Sequence, residues 1–124
     1  MNSPDLIKTF VAEAAIVKHR LVVFGTSDAN VVQASAATDA LVGVADTLDA
    51  GAGERLDVVL TGVAEVEFGG TVSRGDLLTA DVDGKAVVAA PAVGVNNRVA
   101  GVAMVSGVAG DVGAVLLMPT QIQG

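Results

Sequence analysis

Val42-Gly43-Val44-Ala45 followed by Gly53-Glu54-Arg55-Leu56-Asp57-Val58-Val59-Leu60 returns near the C-terminal end as Ala100-Gly101-Val102-Ala103 and Gly110-Asp111-Val112-Gly113-Ala114-Val115-Leu116-Leu117. Both copies read as strand, Gly-rich turn, strand. In the first, Leu56, Val58 and Leu60 alternate with Arg55, Asp57 and Val59, the period-2 pattern of a strand with one buried face. Two copies are too few for a solenoid, so they predict two similar strand-turn-strand units, residues 41–60 and 99–117, inside one small β domain.

The same punctuation extends outward. Gly62 permits a bend after the first copy, and Val63 to Phe68 then sets Val63, Glu65 and Glu67 on one face against Ala64, Val66 and Phe68 on the other. Gly69-Gly70 ends that strand. Asp76 to Ala80 and Lys85 to Ala89 flank Asp83-Gly84, a hairpin signal that predicts a type I′ turn. Lys18 to Phe24, Asn30 to Ala34 and Leu41 to Ala45 supply further short strands, with Gly25-Thr26-Ser27-Asp28 as a turn. Residues 1–12 are expected to form an extended arm and first strand, residues 13–118 a single β domain, and residues 119–124 a tail that frays or lies on a neighbour. The predicted fold is all-β: a compact barrel or sandwich of short antiparallel strands with few or no helices.

A chain of 124 residues fits one domain. Its apolar half is mostly Ala and Val, with three Phe and neither Trp nor Tyr. Full burial of a Val or Phe side chain is worth roughly 1.5–3 kcal/mol, so a core of small side chains needs many residues to offset chain entropy. Several strands, notably Val102 to Val105 and Val112 to Met118, carry almost no polar residues to mark an outward face. Such strands need cover on both sides, and another subunit is the simplest second cover, which predicts an oligomer.

The formal charge of −7, with no basic run beyond Lys18-His19-Arg20, argues against nucleic-acid binding. No apolar stretch approaches the roughly 20 residues that span a bilayer, and the start lacks the pattern of a secretory signal, so no membrane partner and synthesis in a cytoplasm are expected. There is no cysteine and therefore no disulfide or thiolate metal site.

Chemistry finds little purchase. The one histidine, His19, lies between Lys18 and Arg20 and reads as a strand residue. Asp81-Val82-Asp83-Gly84 resembles the start of a calcium loop but lacks the remaining ligands. Glu65 and Glu67 share a face at roughly 7 Å, yet no aromatic platform accompanies them for a glycosidase. Arg74-Gly75-Asp76 reads as a turn into the next strand. No catalytic, metal or cofactor-binding residues are expected.

The segment Val72-Ser73-Arg74-Gly75-Asp76-Leu77-Leu78-Thr79-Ala80-Asp81-Val82-Asp83-Gly84-Lys85-Ala86-Val87 resembles the "xGDxLxxDxxGKxx" stretch of the tailed-phage capsid cement, or head decoration, proteins. The flanking pieces, Gly43 to Ala45, Gly53 to Leu60, Gly62 to Val66, Gly101 to Ala103 and Gly110 to Leu117, stand in that family's order. Together they run from about Leu41 to Met118. The resemblance implies a homotrimer on the outer surface of the expanded head, bridging major capsid protein subunits and stabilising the virion against internal DNA pressure. It also implies capsid contact through an N-terminal arm, which falls on Asn2, Ser3, Pro4, Asp5, Leu6 and Ile7 by position alone. Another virion subunit, of tail or spike, and a carbohydrate-binding β module are the alternatives. The first would be marked by fibrous repeats or a coiled coil, the second by aromatic platforms.

Overall fold

A computed structural model describes residues 3–124. Those residues form nine strands and no helix: β1 (Ser3–Ala12), β2 (Leu21–Phe24), β3 (Asn30–Gln33), β4 (Leu41–Ala45), β5 (Arg55–Glu67), β6 (Leu77–Ala80), β7 (Ala86–Val88), β8 (Asn96–Ala103) and β9 (Val112–Gln123). All belong to one mixed sheet, in the order β1-β3-β2-β4-β5-β9-β8-β6-β7.

The sheet rolls up twice. β1 pairs with β5 as well as with β3, so the first five strands close into a barrel. A single parallel bridge from Phe68 to Ala86 joins the end of β5 to β7 and closes β5-β9-β8-β6-β7 in the same way. Closure leaves few edges for a chain of this size to protect.

The two barrels have one topology, with β5 serving as last strand of the first and first strand of the second. Ala12↔Val31, Phe24↔Val31, Leu21↔Val44, Ile7↔Val59 and Val44↔Val59 in the first correspond to Phe68↔Ala86, Ala80↔Ala86, Leu77↔Val102, Val63↔Leu116 and Val102↔Leu116 in the second. The isolated bridges match too, Ile16↔Ala50 with Val72↔Gly107. The repeat therefore embraces almost the whole chain, where the sequence shows only strands four-five and eight-nine. Backbone pairing repeats while side chains have diverged: Phe24 answers to Ala80, and Lys8 to Ala64.

Small residues in the repeat have a steric cause. A Cβ at Gly43 would stand 2.3 Å from the Val59 carbonyl oxygen, and one at Gly101 2.0 Å from that of Leu116. Real Cβ atoms do not approach so closely. Both glycines let the neighbouring strand press against the sheet at equivalent points.

Two hydrophobic clusters fill the fold. Phe10, Ala12, Ile16, Val22, Val31, Ala45, Leu56 and Val58 lie in the first barrel. The larger cluster joins Ala64, Val66, Phe68, Val72, Leu78, Ala103, Val115 and Leu117 of the second barrel to Leu21, Val44 and Val59 of the first. Adjacent residues thus divide between the clusters: Leu21 from Val22, Val44 from Ala45, Val59 from Val58. The outer face of barrel one is packed into the interior of barrel two.

Several sequence expectations need correction. Three strands are long, with β5 running 13 residues and β9 12, and one strand pair is parallel. Residues 119–123 continue β9 against β8, and Gly124 N donates to the Val95 carbonyl at 3.0 Å, so the tail is ordered on its own chain. His19 and Lys18 precede β2 rather than belonging to it. At Asp83-Gly84 only Gly84 has positive φ (74°). With Asp81 N donating to Lys85 O at 2.9 Å, the turn is a three-residue loop with a left-handed glycine rather than type I′.

Candidate functional site

Of the six residues expected to contact a capsid, Asn2 lies outside the described residues. Ser3, Pro4, Asp5, Leu6 and Ile7 form the first half of β1 and pair antiparallel with β5 between Val59 and Val63. Of the two readings offered by the sequence, arm or strand, the described part is strand. Register shifts flank Leu6, placing a bulge there. Gly62 makes room for it. Its φ is +92°, and a Cβ would lie 2.5 Å from Asp5 N and 2.7 Å from Ser3 O, so no side chain fits at this crossing.

β1 takes β5 along one edge. Along the other, β3 pairs only with Val11 and Ala12, so among the described residues no strand covers the edge from Pro4 to Thr9. Leu6 and Ile7 are 52% and 40% exposed beside it. An open strand edge with two large apolar side chains can accept another strand through main-chain hydrogen bonds and seat those side chains in pockets.

The groups weighed for chemistry are engaged structurally. His19 sits in a turn with φ 63°, where the second barrel has Gly75, and its Nδ1 lies 3.1 Å from the Glu65 carbonyl oxygen. Glu67 accepts from Arg20 Nε at 3.1 Å and meets Lys85 Nζ at 3.3 Å. Burial by itself raises the Glu67 carboxyl, but the hydrogen bonds and charges of Arg20 and Lys85 outweigh it and hold it below its ordinary value. Arg20 Nη1 and Gln33 Nε2 also donate to the Asp83 carbonyl at 2.9 and 2.8 Å. This network binds the β6–β7 hairpin of the second barrel to the first, a role that alternation alone did not reveal for Glu67.

Asp81 Oδ1 accepts from the amides of Asp83 (2.8 Å) and Lys85 (2.9 Å), so its carboxylate shapes the hairpin. Asp76 Oδ2 accepts from Ser73 N at 2.9 Å in the turn at Arg74-Gly75-Asp76. Glu13, held below its ordinary value by hydrogen bonds from the Thr26 side chain and backbone, ties down the β2–β3 turn. A recess of about 340 Å³ between Thr9, Leu48 and Asp57 is lined by four carboxylates, one arginine and no histidine. Among the described residues no group of three or more His, Cys, Asp or Glu is placed to hold a metal ion.

Comparison with known proteins places this fold. The chain is similar to the head fiber gp8.5 N base of bacteriophage phi29, with a TM-score of 0.71 and 19% identity over 96% of this chain and 98% of that one; at that identity the likeness is one of fold. A search of curated protein sequences finds no match. A family model described as phage cement protein matches residues 2–118. That span takes in both barrels and the open edge of β1, and it shows that the chain belongs to the phage cement protein family.

Proposed function

We propose that this protein is a capsid decoration subunit, made in the host cytoplasm, which binds the outside of the expanded icosahedral head as a homotrimer and stabilises it against internal DNA pressure. Its partners are the major capsid protein and further copies of itself, and its role is structural rather than enzymatic. Membership of the cement family supports a capsid-associated structural protein. The observation that carries the mode of attachment is the open edge of β1 from Pro4 to Thr9, with Leu6 and Ile7 exposed along it.

A capsid segment adding to that edge gains main-chain hydrogen bonds, and the two apolar side chains supply specificity. One such contact is weak. Three on one trimer raise the effective concentration for the second and third, so the assembly is held firmly by modest individual contacts.

Removing residues 1–5 deletes the Ser3↔Val63 and Pro4↔Gly62 pairs but keeps Leu6 to Val11 on β5. The truncated protein is expected to remain folded and self-associated while binding expanded heads more weakly, read by co-sedimentation with undecorated particles. Ile7→Lys tests the same edge in the full chain. Undiminished decoration by both variants removes β1 from the contact. The likeness to a head fiber base favours a second reading, a subunit seating a larger appendage on the head; electron microscopy of particles distinguishes a low protrusion from a projecting fibre.

A further inference from the structure

The duplicated fold leaves one half of a contact at each end of the molecule. In the first barrel, Leu21, Val44 and Val59 form a cross-strand row over β2, β4 and β5 on the outer face. Each is 1% exposed because the row is packed into the interior of the second barrel. The register equivalents in the second barrel are Leu77, Val102 and Leu116, over β6, β8 and β9. That row has no third barrel to enter. Leu77 and Val102 are half-buried, and Leu116 is 38% exposed.

The interiors show the converse. Ala64, Ala80, Ala100 and Leu117 of the second barrel are buried within the cluster that receives Leu21, Val44 and Val59. Their equivalents in the first barrel are Lys8, Phe24, Val42 and Leu60. Lys8 is exposed, Val42 and Leu60 are half-buried, and Phe24 is 53% exposed although its ring meets Phe10 edge-on at 6.0 Å. The mouth that the second barrel closes with a row of Leu and Val is left open in the first.

The geometry points to a head-to-tail contact between copies of this chain, in which the Leu77-Val102-Leu116 row of one copy seats on the Phe24-Val42-Leu60 mouth of the next. The chain itself supplies the template, since the same face already seats in the same mouth between its own two barrels. Phe24, Val42 and Leu60 are bulkier than the Ala80 and Ala100 that line the intramolecular mouth, so the row lies across the opening rather than sinking into it. Such a contact uses two different patches and is heterologous; it closes into a ring when the rotation per copy divides a full turn. This inference rests on the self-association proposed above and names the faces that make it.

The test uses the full chain and two variants, Phe24→Glu to disable the mouth and Leu116→Arg to disable the row. Both side chains are exposed in a single copy, so far-UV circular dichroism and thermal melting are expected to match the wild type. By light scattering at micromolar concentration the wild type is expected as a closed oligomer and each variant alone as a monomer. Mixed one to one, the variants retain one intact mouth and one intact row, and form a dimer that grows no further. The absence of cysteine allows capture of a weak dimer: Val102→Cys on the F24E chain and Leu60→Cys on the L116R chain, joined by a short bis-maleimide. A pair of variants that stay oligomeric like the wild type, or that are monomeric and yield no mixed crosslink, overturns the head-to-tail assignment and leaves self-association standing. A monomeric wild type overturns self-association itself, whatever the outcome for capsid binding. Melting curves that drop for both variants are answered by the milder Phe24→Gln and Leu116→Gln at the same exposed positions, which must give the same complementation.

Discussion

At Gly101 a methyl group would stand 2.0 Å from the Leu116 carbonyl oxygen, a backbone atom with nowhere to retreat because Leu116 pairs with Val63 on its other side. Gly101→Ala is expected to destabilise the fold by about 1–3 kcal/mol, the usual cost of forcing atoms into a packed sheet, and Gly43→Ala to do the same in the first barrel. Urea unfolding midpoints check both, and an unchanged midpoint means the strands can part without cost. Glu67 poses an electrostatic question at the same scale. Its folded carboxyl titrates below the ordinary value of 4.5, so its contribution is fully present above that value and is lost as pH falls through the lower folded value. Stability measured from neutral pH downward is expected to fall less steeply in Glu67→Gln than in the wild type. Parallel curves for the two proteins would show that Arg20 and Lys85 add nothing to folding through this carboxylate.

Among the elements, β5 does the most. Its first half lies between β1 and β4, its second half pairs with β9, and Gly62 marks the exchange. The alternation of Leu56, Val58 and Leu60 already identified a half-buried strand, and the Glu65/Glu67 face was legible in the same way. Period-2 patterning shows which residues share a face but not which partner covers it. Val59, on the presumed solvent side with Arg55 and Asp57, is buried because the second barrel closes over it. The β6–β7 hairpin shows the same limit: its turn residues announced a hairpin, while its docking on Arg20 and Gln33 depends on residues 63 and 50 positions from Asp83.

For the whole molecule, a shared strand and a core drawn from both barrels predict a single cooperative unfolding transition. Ile16 occupies the first barrel and Phe68 the second, both fully buried. Ile16→Ala is expected to cost about 2–5 kcal/mol and Phe68→Ala about 3–5 kcal/mol, each shifting the same transition whether followed by circular dichroism or by calorimetry. A two-step melt in Ile16→Ala, with the second barrel persisting, would show that the barrels fold separately. The acidic balance of the chain, −7 overall, opposes non-specific association through like-charge repulsion.

The all-β class, the positions of most turns, the paired strand-turn-strand units and the kinship with cement proteins were all legible in the order of residues. These are local properties: alternation, Gly and Asp at chain reversals, and the order of short motifs survive in one dimension. Three-dimensional folding was needed to show that the repeat spans two whole barrels, that β1 and β3 run parallel, that residues 119–123 extend β9, and that one apolar row is buried while its twin is only partly covered. Strand pairing is set by backbone hydrogen bonds that are indifferent to most side chains, so the duplication persists in register after Phe24 and Ala80, or Lys8 and Ala64, have ceased to look alike.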